Sequence, residues 1–437
     1  MDIIKSGKLI LILFLFSFSA KAQDTLKLSR EQSEAIFLKE NLLLIAERLE
    51  ISKAEAAVLQ AKLWPNPTLE LNEVNLWGTD KQISEADAEG FLPPFSSNGS
   101  FGKNQQFGVQ LEQLILTAGK RKKLIALEEV TVEKSKQYFE DLLRNLKIEF
   151  RNQLTNLQYL QFSREIYQNQ IASIKTLTQA YKNQVEQGNV PKGEYIRLKA
   201  LELEIFQNIK ELNNEINEAQ KELKLLMRLP AQTQLQITEE GYLIEVQQLN
   251  NLELSNLIDQ SKQYRPDYKI AELNQEYYNK LYAYERAQRV PNVTMGANYD
   301  RGGNFIKDFV GFGVTMDLPF FNRNQGNIKI AEIGKEQSQI LFQKKEASIG
   351  NEVVLAYQNL TEAIAFLNEI EPGYETELDN LLTGYTKNFI ERNISLLEYL
   401  DFQSAYLENK KIILEAGKDV NEKVEELNYS VGIDLIK

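Results

Sequence analysis

Two residue types are missing from this 437-residue chain, which contains no cysteine and no histidine. Without cysteine no disulfide can form, and without either residue the usual ligands of a zinc site are absent. Catalysis of the Ser-His-Asp and Cys-His types is excluded for the same reason. Carboxylate-pair chemistry needs neither residue, but no local arrangement of acidic residues suggests it. The sequence therefore predicts no enzyme, with no catalytic residues, no bound metal and no cofactor.

Positive charge is in short supply. The chain has 50 Lys and Arg against 62 Asp and Glu, which gives a net charge of −12 and a pI near 5.0. There is no extended basic block, so nucleic-acid binding is not expected. Charged residues make up 26% and hydrophobic residues 43% of the chain, an ordinary globular balance that argues against wholesale disorder.

Long apolar runs are also missing, except for a short one at the N-terminus. Lys5 and Lys8 flank the start of an apolar stretch over residues 9–18, and Ala20-Lys21-Ala22 fits a small-x-small cleavage pattern. About ten apolar residues are too few to cross a bilayer, which takes about 20. The sequence predicts a signal peptide over residues 1–22, with an uncleaved anchor helix as the alternative. No cysteine follows for lipid attachment, and membrane insertion would have to use β-strands.

The sequence repeats itself once. Phe107-Gly108-Val109 recurs 205 residues later as Phe312-Gly313-Val314, and Glu194-Tyr195 recurs 204 residues later as Glu398-Tyr399. Several ordered matches at nearly one offset predict a duplicated architecture. In each copy a helix leads to a proline, a strand pair follows, and a long helical stretch turns back on itself.

Period-two alternation predicts the strands. The predicted ranges are residues 66–74, 105–115, 292–300 and 309–318, each with apolar and polar residues on opposite faces. Such alternation suits strands of a transmembrane barrel, although a soluble sheet with one wet face gives the same pattern. On the barrel interpretation the polar face lines the lumen, with Glu70, Glu112, Asp300 and Asp317 as its acidic residues.

Heptad spacing predicts long packed helices. Apolar residues step by three and four on the way out from Leu157 to Val185, interrupted by Arg164 and Thr178. They do so again on the return from Ile205 to Leu226. An unbroken helix from residue 119 to 187 would measure roughly 100 Å. In the second copy a break is expected at Pro372-Gly373.

A tight turn is predicted at the far end of each hairpin, called here the first and second apex. In the first apex Gly188 accepts left-handed geometry, and Pro191 suits the start of a helix. In the second apex Asn393 tolerates the left-handed region, and Ser395 can cap the returning helix. The turn residues are Gly188, Asn189 and Val190 in the first apex and Arg392, Asn393 and Ile394 in the second.

Strand number bears on assembly. Four strands cannot close a barrel, and open edges are not stable in lipid. Two copies would supply eight strands, whose interior side chains would fill, whereas three copies would supply twelve and leave a lumen. If the strands are membranous, a homotrimer is the smallest assembly with a pore.

Together with this layout, several motifs make the chain resemble the TolC family of outer-membrane efflux proteins. They are Trp64-Pro65-Asn66-Pro67 before the first strand, the run at residues 117–121 before the first long helix, and the run at residues 319–326 before the second. Pro319-Phe320-Phe321-Asn322 is most similar to the heavy-metal (CzcC-like) efflux branch. The chain departs from many relatives of that branch because it lacks a lipidated cysteine.

The resemblance implies a mainly α fold with a small β part, arranged as a trimer with a twelve-stranded outer-membrane barrel and a helical periplasmic tunnel. It implies an outer-membrane lipid environment and, as partners, an inner-membrane transporter and a periplasmic adaptor that docks at the apices. It also implies an acidic pair at the periplasmic aperture, which maps to Glu398 and Asp401. Glu194 and Arg197 hold the equivalent positions in the first copy, where the arginine is a departure. Solvated surface charges are the alternative interpretation of all four.

These predictions divide the chain into seven segments. They are the signal peptide (1–22), N-terminal periplasmic helices (23–64), a first strand pair with a long extracellular loop (65–118), a first helical hairpin (119–230), an equatorial segment (231–290), a second strand pair (291–320) and a second hairpin with the C-terminus (321–437).

The predicted function is that of an exit duct in a tripartite efflux pump. The alternatives are the exit duct of a type I protein secretion system, a coiled-coil surface protein, a periplasmic adaptor and a secreted hydrolase. A surface protein would not need four alternating strands, an adaptor would not need the duplication, and the missing histidine and cysteine disfavour the hydrolase.

Overall fold

The computed structural model describes residues 25–78, 104–238, 242, 253–301 and 308–435. The predicted signal peptide and most of the predicted loop between the first two strands lie outside these ranges. The helices are α1 (Arg30–Glu40), α2 (Leu42–Lys62), α3 (Lys120–Glu186), α4 (Lys192–Leu226), α5 (Leu254–Tyr264), α6 (Pro266–Gln288), α7 (Gln325–Asn368), α8 (Tyr374–Ile390) and α9 (Leu396–Val431). The strands are β1 (Thr25–Leu28), β2 (Thr68–Gly78), β3 (Asn104–Ile115), β4 (Gln234–Ile237), β5 (Val293–Arg301) and β6 (Phe309–Met316).

The chain forms two compact units. The first comprises residues 1–47, 139–266 and 346–437, and the second comprises residues 48–138 and 267–345. The seven segment boundaries derived from the sequence are finer than this division and stay predictions.

The second unit contains an antiparallel sheet of four strands in the order β2-β3-β5-β6. Its register aligns Leu69 with Leu111, Leu111 with Ala297, and Ala297 with Phe312, so one face is apolar across the sheet. In the neighbouring row across the sheet, Glu70, Gln110, Asn298 and Gly311 align on the opposite face. The predicted strands and their alternation are therefore confirmed, with shifts of a few residues at the ends.

One of the shifted strand ends affects a predicted site residue. The strand expected to continue to residue 318 ends at Met316, so Asp317 lies outside the sheet. Pro319 follows two residues later and has no N–H to donate to a neighbouring strand. The amide of Phe320 instead donates to the carbonyl of Leu318 at 2.9 Å, which turns the chain away.

In the first unit, packing follows the predicted heptad seams. α3 is one helix of 67 residues, close to the predicted range of 119–187. On the outgoing seam Leu157, Leu160 and Ile174 are fully buried, and on the return Ile216 and Leu223 are buried with them. Burial of such side chains contributes about 1.5–3 kcal/mol each. The sequence pattern thus predicted both the helices and the faces they bury.

The predicted break at Pro372-Gly373 is confirmed. α7 ends at Asn368, and α8 begins at Tyr374 with Gly373 as its N-cap at φ 88°. Glycine has no Cβ to oppose this left-handed conformation. Within the described ranges, no helix is both long enough and apolar enough to cross a membrane.

A second, smaller sheet was not predicted. β1 pairs in parallel with β4, more than 200 residues further along the chain, over four residues from each strand. Leu28 and Leu235 lead from this pair into the core of the first unit, where Phe37 stacks on Phe150 with ring centroids 4.5 Å apart. Four residues are too few for period-two alternation to stand out.

Candidate functional site

The first apex connects α3 to α4. Gly188 adopts φ 77°, as predicted, and the amide of Asn189 donates to the carbonyl of Gln184 at 2.9 Å. A hydrogen bond of this kind closes a helix C-terminus when the residue just before the donor, here Gly188, is left-handed. Asn189 is exposed, and Val190 is partly buried.

The second apex repeats this geometry with different residues. Arg392 adopts φ 63°, and the amide of Asn393 donates to the carbonyl of Asn388 at 2.8 Å. The prediction that Asn393 takes the left-handed conformation is therefore wrong, because the helix-closing bond places that conformation one residue earlier. Asn393 instead donates through its side chain to Asn388 Oδ1 at 3.2 Å. Ile394 follows, partly buried against the hairpin core.

The helices that leave the two apices are capped differently. Ser395 is the N-cap of α9 and forms a capping box, in which its backbone N–H donates to Glu398 Oε2 at 2.7 Å. The equivalent position in the first copy is Pro191, which makes no side-chain cap bond and has no N–H. The capping predicted for Ser395 is thus confirmed, and the duplicated turns differ in how their returning helices begin.

The candidate aperture residues lie one helical turn beyond each apex. Glu398 and Asp401 are both exposed on α9, three residues apart. Hydrogen bonds from the backbone and hydroxyl of Ser395 lower the pKa of Glu398, so this carboxylate has a capping role independent of any aperture. The function of Glu398 and Asp401 at an aperture stays a prediction.

In the first copy, Glu194 is partly buried and Arg197 is exposed. Burial, and then the charge of Glu194, raise the pKa of the neighbouring Tyr181. Within the part of the chain that the structure describes, no carboxylate lies within 4.0 Å of the Arg197 guanidinium. Among the described residues Arg197 therefore forms no ion pair within one protomer, and its role at an aperture stays a prediction.

Aromatic stacking joins the two hairpins just behind the apices. The Phe389 ring stacks on Tyr181 with centroids 5.5 Å apart and on Tyr399 with centroids 4.6 Å apart. Tyr385 also stacks on Phe402, with a centroid distance of 4.0 Å. The Tyr181–Phe389 pair therefore brings rings from the two copies of the repeat into direct contact. Tyr181 and Tyr385 occupy equivalent positions of the repeat, 204 residues apart, but only the second copy has Phe389 and Phe402 as stacking partners.

The polar face of the four-stranded sheet brings three of the four predicted lumen residues together. Register places Glu70 and Glu112 on that face, and Asp300 lies on the same face two residues from Asn298. Glu112 accepts a hydrogen bond from Gln110 Nε2 at 2.6 Å. Asp317 lies beyond the end of β6. The lumen role of all four stays a prediction.

A buried ion cluster in the first unit was not predicted. Arg151 donates to Glu34 at 2.9 Å, to Glu425 at 3.0 Å and to Asp434 at 2.9 Å. Burial raises the pKa of Glu425 against the effect of Arg151, whereas hydrogen bonds from Arg151 and Lys147 outweigh burial and lower the pKa of Asp434. The cluster ties α1, α3, α9 and the C-terminal segment together. Among the described residues, no group of acidic side chains is arranged to hold a metal ion.

Comparison with known proteins gives one family match. Residues 257–432 match the model of the family described as outer membrane efflux protein. No protein of curated function matches the chain by sequence.

Several solved structures share the fold. CusC, whose crystal structures concern folding and transmembrane channel formation, is 18% identical with a TM-score of 0.67 over 96% of each chain. The Campylobacter jejuni CmeC outer membrane channel is 14% identical, with a TM-score of 0.71 over 92% of this chain and 85% of that one. The open-state Neisseria gonorrhoeae MtrE outer membrane channel is 15% identical, with a TM-score of 0.68 over 92% of this chain and 89% of that one.

Proposed function

We propose that this chain, whose residues 257–432 match the outer membrane efflux protein family, is one protomer of an outer-membrane efflux channel. It passes substrates out of the periplasm as the exit duct of a tripartite pump. Two of its structural neighbours, CmeC and MtrE, are outer membrane channels, and 92% of this chain aligns with each. In its finer form, the proposal places this channel in the heavy-metal efflux branch, which Pro319-Phe320-Phe321-Asn322 suggests.

The observation that carries the proposal is the two-faced sheet. In the single chain its apolar face stands open, with Phe312 86% exposed and Val314 71% exposed. Apolar side chains on one face and carboxylates on the other suit a wall between lipid and an aqueous lumen. Glu70, Glu112 and Asp300, which lie on that polar face, would then contribute to the cation preference of the lumen.

Closure of the sheet requires further copies. The edges β2 and β6 carry backbone groups that lipid cannot satisfy, so they must pair with other strands. Three copies give twelve strands and an open interior, which supports a homotrimer in the outer membrane with its hairpins in the periplasm. An adaptor would bind the apices at Gly188, Asn189 and Val190 and at Arg392, Asn393 and Ile394, and an inner-membrane transporter would complete the pump.

Reconstitution tests this function. The purified protein should float with vesicles, have the native mass of a trimer in detergent and conduct ions across a planar bilayer. A stable monomer that stays with the aqueous fraction would contradict the proposal. Copurification with a drug or ion pump would support the efflux role, whereas copurification with a peptide-exporting ATPase would indicate the secretion alternative.

The aperture assignment has its own test. In a trimer, Glu398 and Asp401 would place carboxylates from three protomers around one constriction, which would attract cations and repel anions. Replacing both by alanine is expected to weaken cation selectivity and block by multivalent cations in bilayer recordings. Replacement of Glu194 and Arg197 by alanine removes no net charge and is the matched control. Unchanged selectivity in an intact E398A/D401A trimer would refute the assignment and leave the channel function standing.

A further inference from the structure

A cavity of about 360 Å³ lies at one end of the four-stranded sheet, within the second unit. Register places the beginnings of β2 and β5 and the ends of β3 and β6 at this same end. The cavity, called here the strand-end cavity, is lined by the last turns of α2 and α6, by residues just outside the strands and by the first turns of α3. The strand-end cavity has no role in the function proposed above.

Two cations line the strand-end cavity. Lys120 is only 5% exposed, and its Nζ donates to the Val290 carbonyl and to Asn292 Oδ1, each at 2.6 Å. Arg121 donates to the carbonyl of Lys62. These acceptors are all neutral, and over the described ranges no carboxylate lies within 4.0 Å of either cation. A buried cation without a counter-charge is costly, so an anion in the cavity would be stabilised.

The segments around the strand-end cavity are also rich in basic residues. α3 begins with four consecutive basic residues, Lys120 to Lys123, and has no acidic residue in its first turn. This arrangement opposes the helix dipole, which favours negative charge at an N-terminus. The segments at this end of the sheet, 60–67, 116–124, 284–292 and 317–325, together hold eight basic and two acidic residues, although the whole chain carries −12. The local field therefore attracts anions.

Part of the remaining wall of the cavity is apolar, beside polar side chains from α2 and α6. Leu63, Trp64, Leu116 and Leu124 line it, and the Arg121 guanidinium lies over the Trp64 ring at 4.6 Å from its centroid. Trp64 is 62% exposed, so the cavity continues into an open apolar surface. Phe320 and Phe321, after β6 at the same end of the sheet, are 67% and 95% exposed. Exposed aromatic rings beside basic residues are typical of the level of lipid headgroups.

We propose that the strand-end cavity binds an anionic phospholipid, with the phosphate on Lys120 and Arg121 and an acyl chain along Leu116, Leu124 and Trp64. Basic pockets at membrane level recognise acidic headgroups in this way. The apolar side chains favour a lipid over a free phosphate ion, because a phosphate ion alone would leave them in contact with water. The inference rests on the proposed function, because a membrane-embedded sheet brings this end to the headgroups of the periplasmic leaflet.

The test uses the full-length protein in vesicles and the fluorescence of Trp64. The chain has two tryptophans, so Trp77→Phe leaves Trp64 as the reporter. Phosphatidylglycerol with brominated acyl chains, titrated into phosphatidylcholine vesicles, is expected to quench Trp64 at lower mole fractions than brominated phosphatidylcholine does. Arg121→Gln should weaken the apparent affinity for phosphatidylglycerol about tenfold, because it removes a charge-assisted contact. Lys122→Gln loses the same charge from an exposed side chain and should change that affinity less than about twofold.

Three results would overturn the inference. One is equal quenching by the two brominated lipids, and another is an equal effect of the two substitutions. The third is loss of the phosphatidylglycerol preference in millimolar inorganic phosphate, which would reassign the cavity to a free anion. Flotation of the same vesicles separates the two proposals: protein that does not float refutes the channel function as well, whereas floating protein without lipid preference refutes only the lipid site.

Discussion

At the residue scale, the two apices perform one turn with different side chains. Gly188 and Arg392 hold the same left-handed position, but only glycine adopts it without steric cost. The space around Gly188 is empty, since an added Cβ would meet no atom within 4 Å. A substitution there therefore changes backbone strain and little else.

This equivalence predicts opposite effects of two substitutions. Arg392→Gly should raise the free energy of opening of the second apex by about 1 kcal/mol, and Gly188→Ala should lower that of the first by a similar amount. Hydrogen exchange of the Asn393 and Asn189 amides, which make the helix-closing bonds, measures both. Arg392→Ala removes the same side chain but keeps the strain, so it serves as the control. Equal stabilisation by Ala and Gly at residue 392 would contradict the strain argument.

The local sequence predicts the roles of some of these residues but not of others. Ser395 could be identified as a cap because a hydroxyl three residues before a glutamate is a local signal. Arg392 could not, because the left-handed residue is set by where the last helical bond falls. The partners of Arg151 come from α1, α9 and the C-terminal segment, so no local pattern reveals them.

At the element scale, the capping box makes the start of α9 sensitive to pH. The pKa of Glu398 is lowered in the folded chain, so its contribution is fully present above its ordinary value of 4.5 and is lost as pH falls through the folded value. Ser395→Ala should cost about 1 kcal/mol of helix stability near pH 7 and less below the folded pKa of Glu398. Hydrogen exchange of the Glu398 and Tyr399 amides, corrected for intrinsic rates, follows this difference.

The first apex supplies the control for this prediction. α4 begins after Pro191, which cannot form the reciprocal bond, so Glu194→Ala removes no capping bond and should change the opening of that helix less than Ser395→Ala changes that of α9 at pH 7. A cost of Ser395→Ala that is constant from pH 7 to pH 3 would show that Glu398 does not take part in the cap.

Elements with strong periodicity were predictable. α3, α4 and the four strands of the larger sheet repeat their apolar residues over many positions. The structure confirms these elements, the buried faces of the helices and the alternating faces of the strands. β1 and β4 were not predictable, because each has four residues and its partner lies far along the chain. Strand order was also not predictable, because neither copy alone specifies that β3 pairs with β5.

At the scale of the whole molecule, the two faces of the sheet should respond differently to one charge. Phe312→Lys places a cation on the apolar face, where lipid would make it cost about 2–4 kcal/mol at the middle of a bilayer. The yield of trimer in outer-membrane fractions, followed by native mass, should fall. Thr315→Lys introduces the same charge on the opposite face of β6 and should leave the yield nearly unchanged. Equal loss in both variants would argue against a lipid-facing apolar surface.

The unlike edges of the larger sheet restrict the symmetry of any assembly. β2 is eleven residues long with register shifts after Asn72, whereas β6 is eight residues long and pairs evenly with β5. A twofold axis would join β2 to β2 or β6 to β6 and leave the other pair of edges open. Joining β2 of one copy to β6 of the next is a head-to-tail contact, which closes into a ring only at a fixed rotation and otherwise grows without limit. Variants that alter the twist of either edge are therefore expected to yield open polymers rather than smaller closed oligomers, a difference that electron microscopy of detergent extracts would reveal.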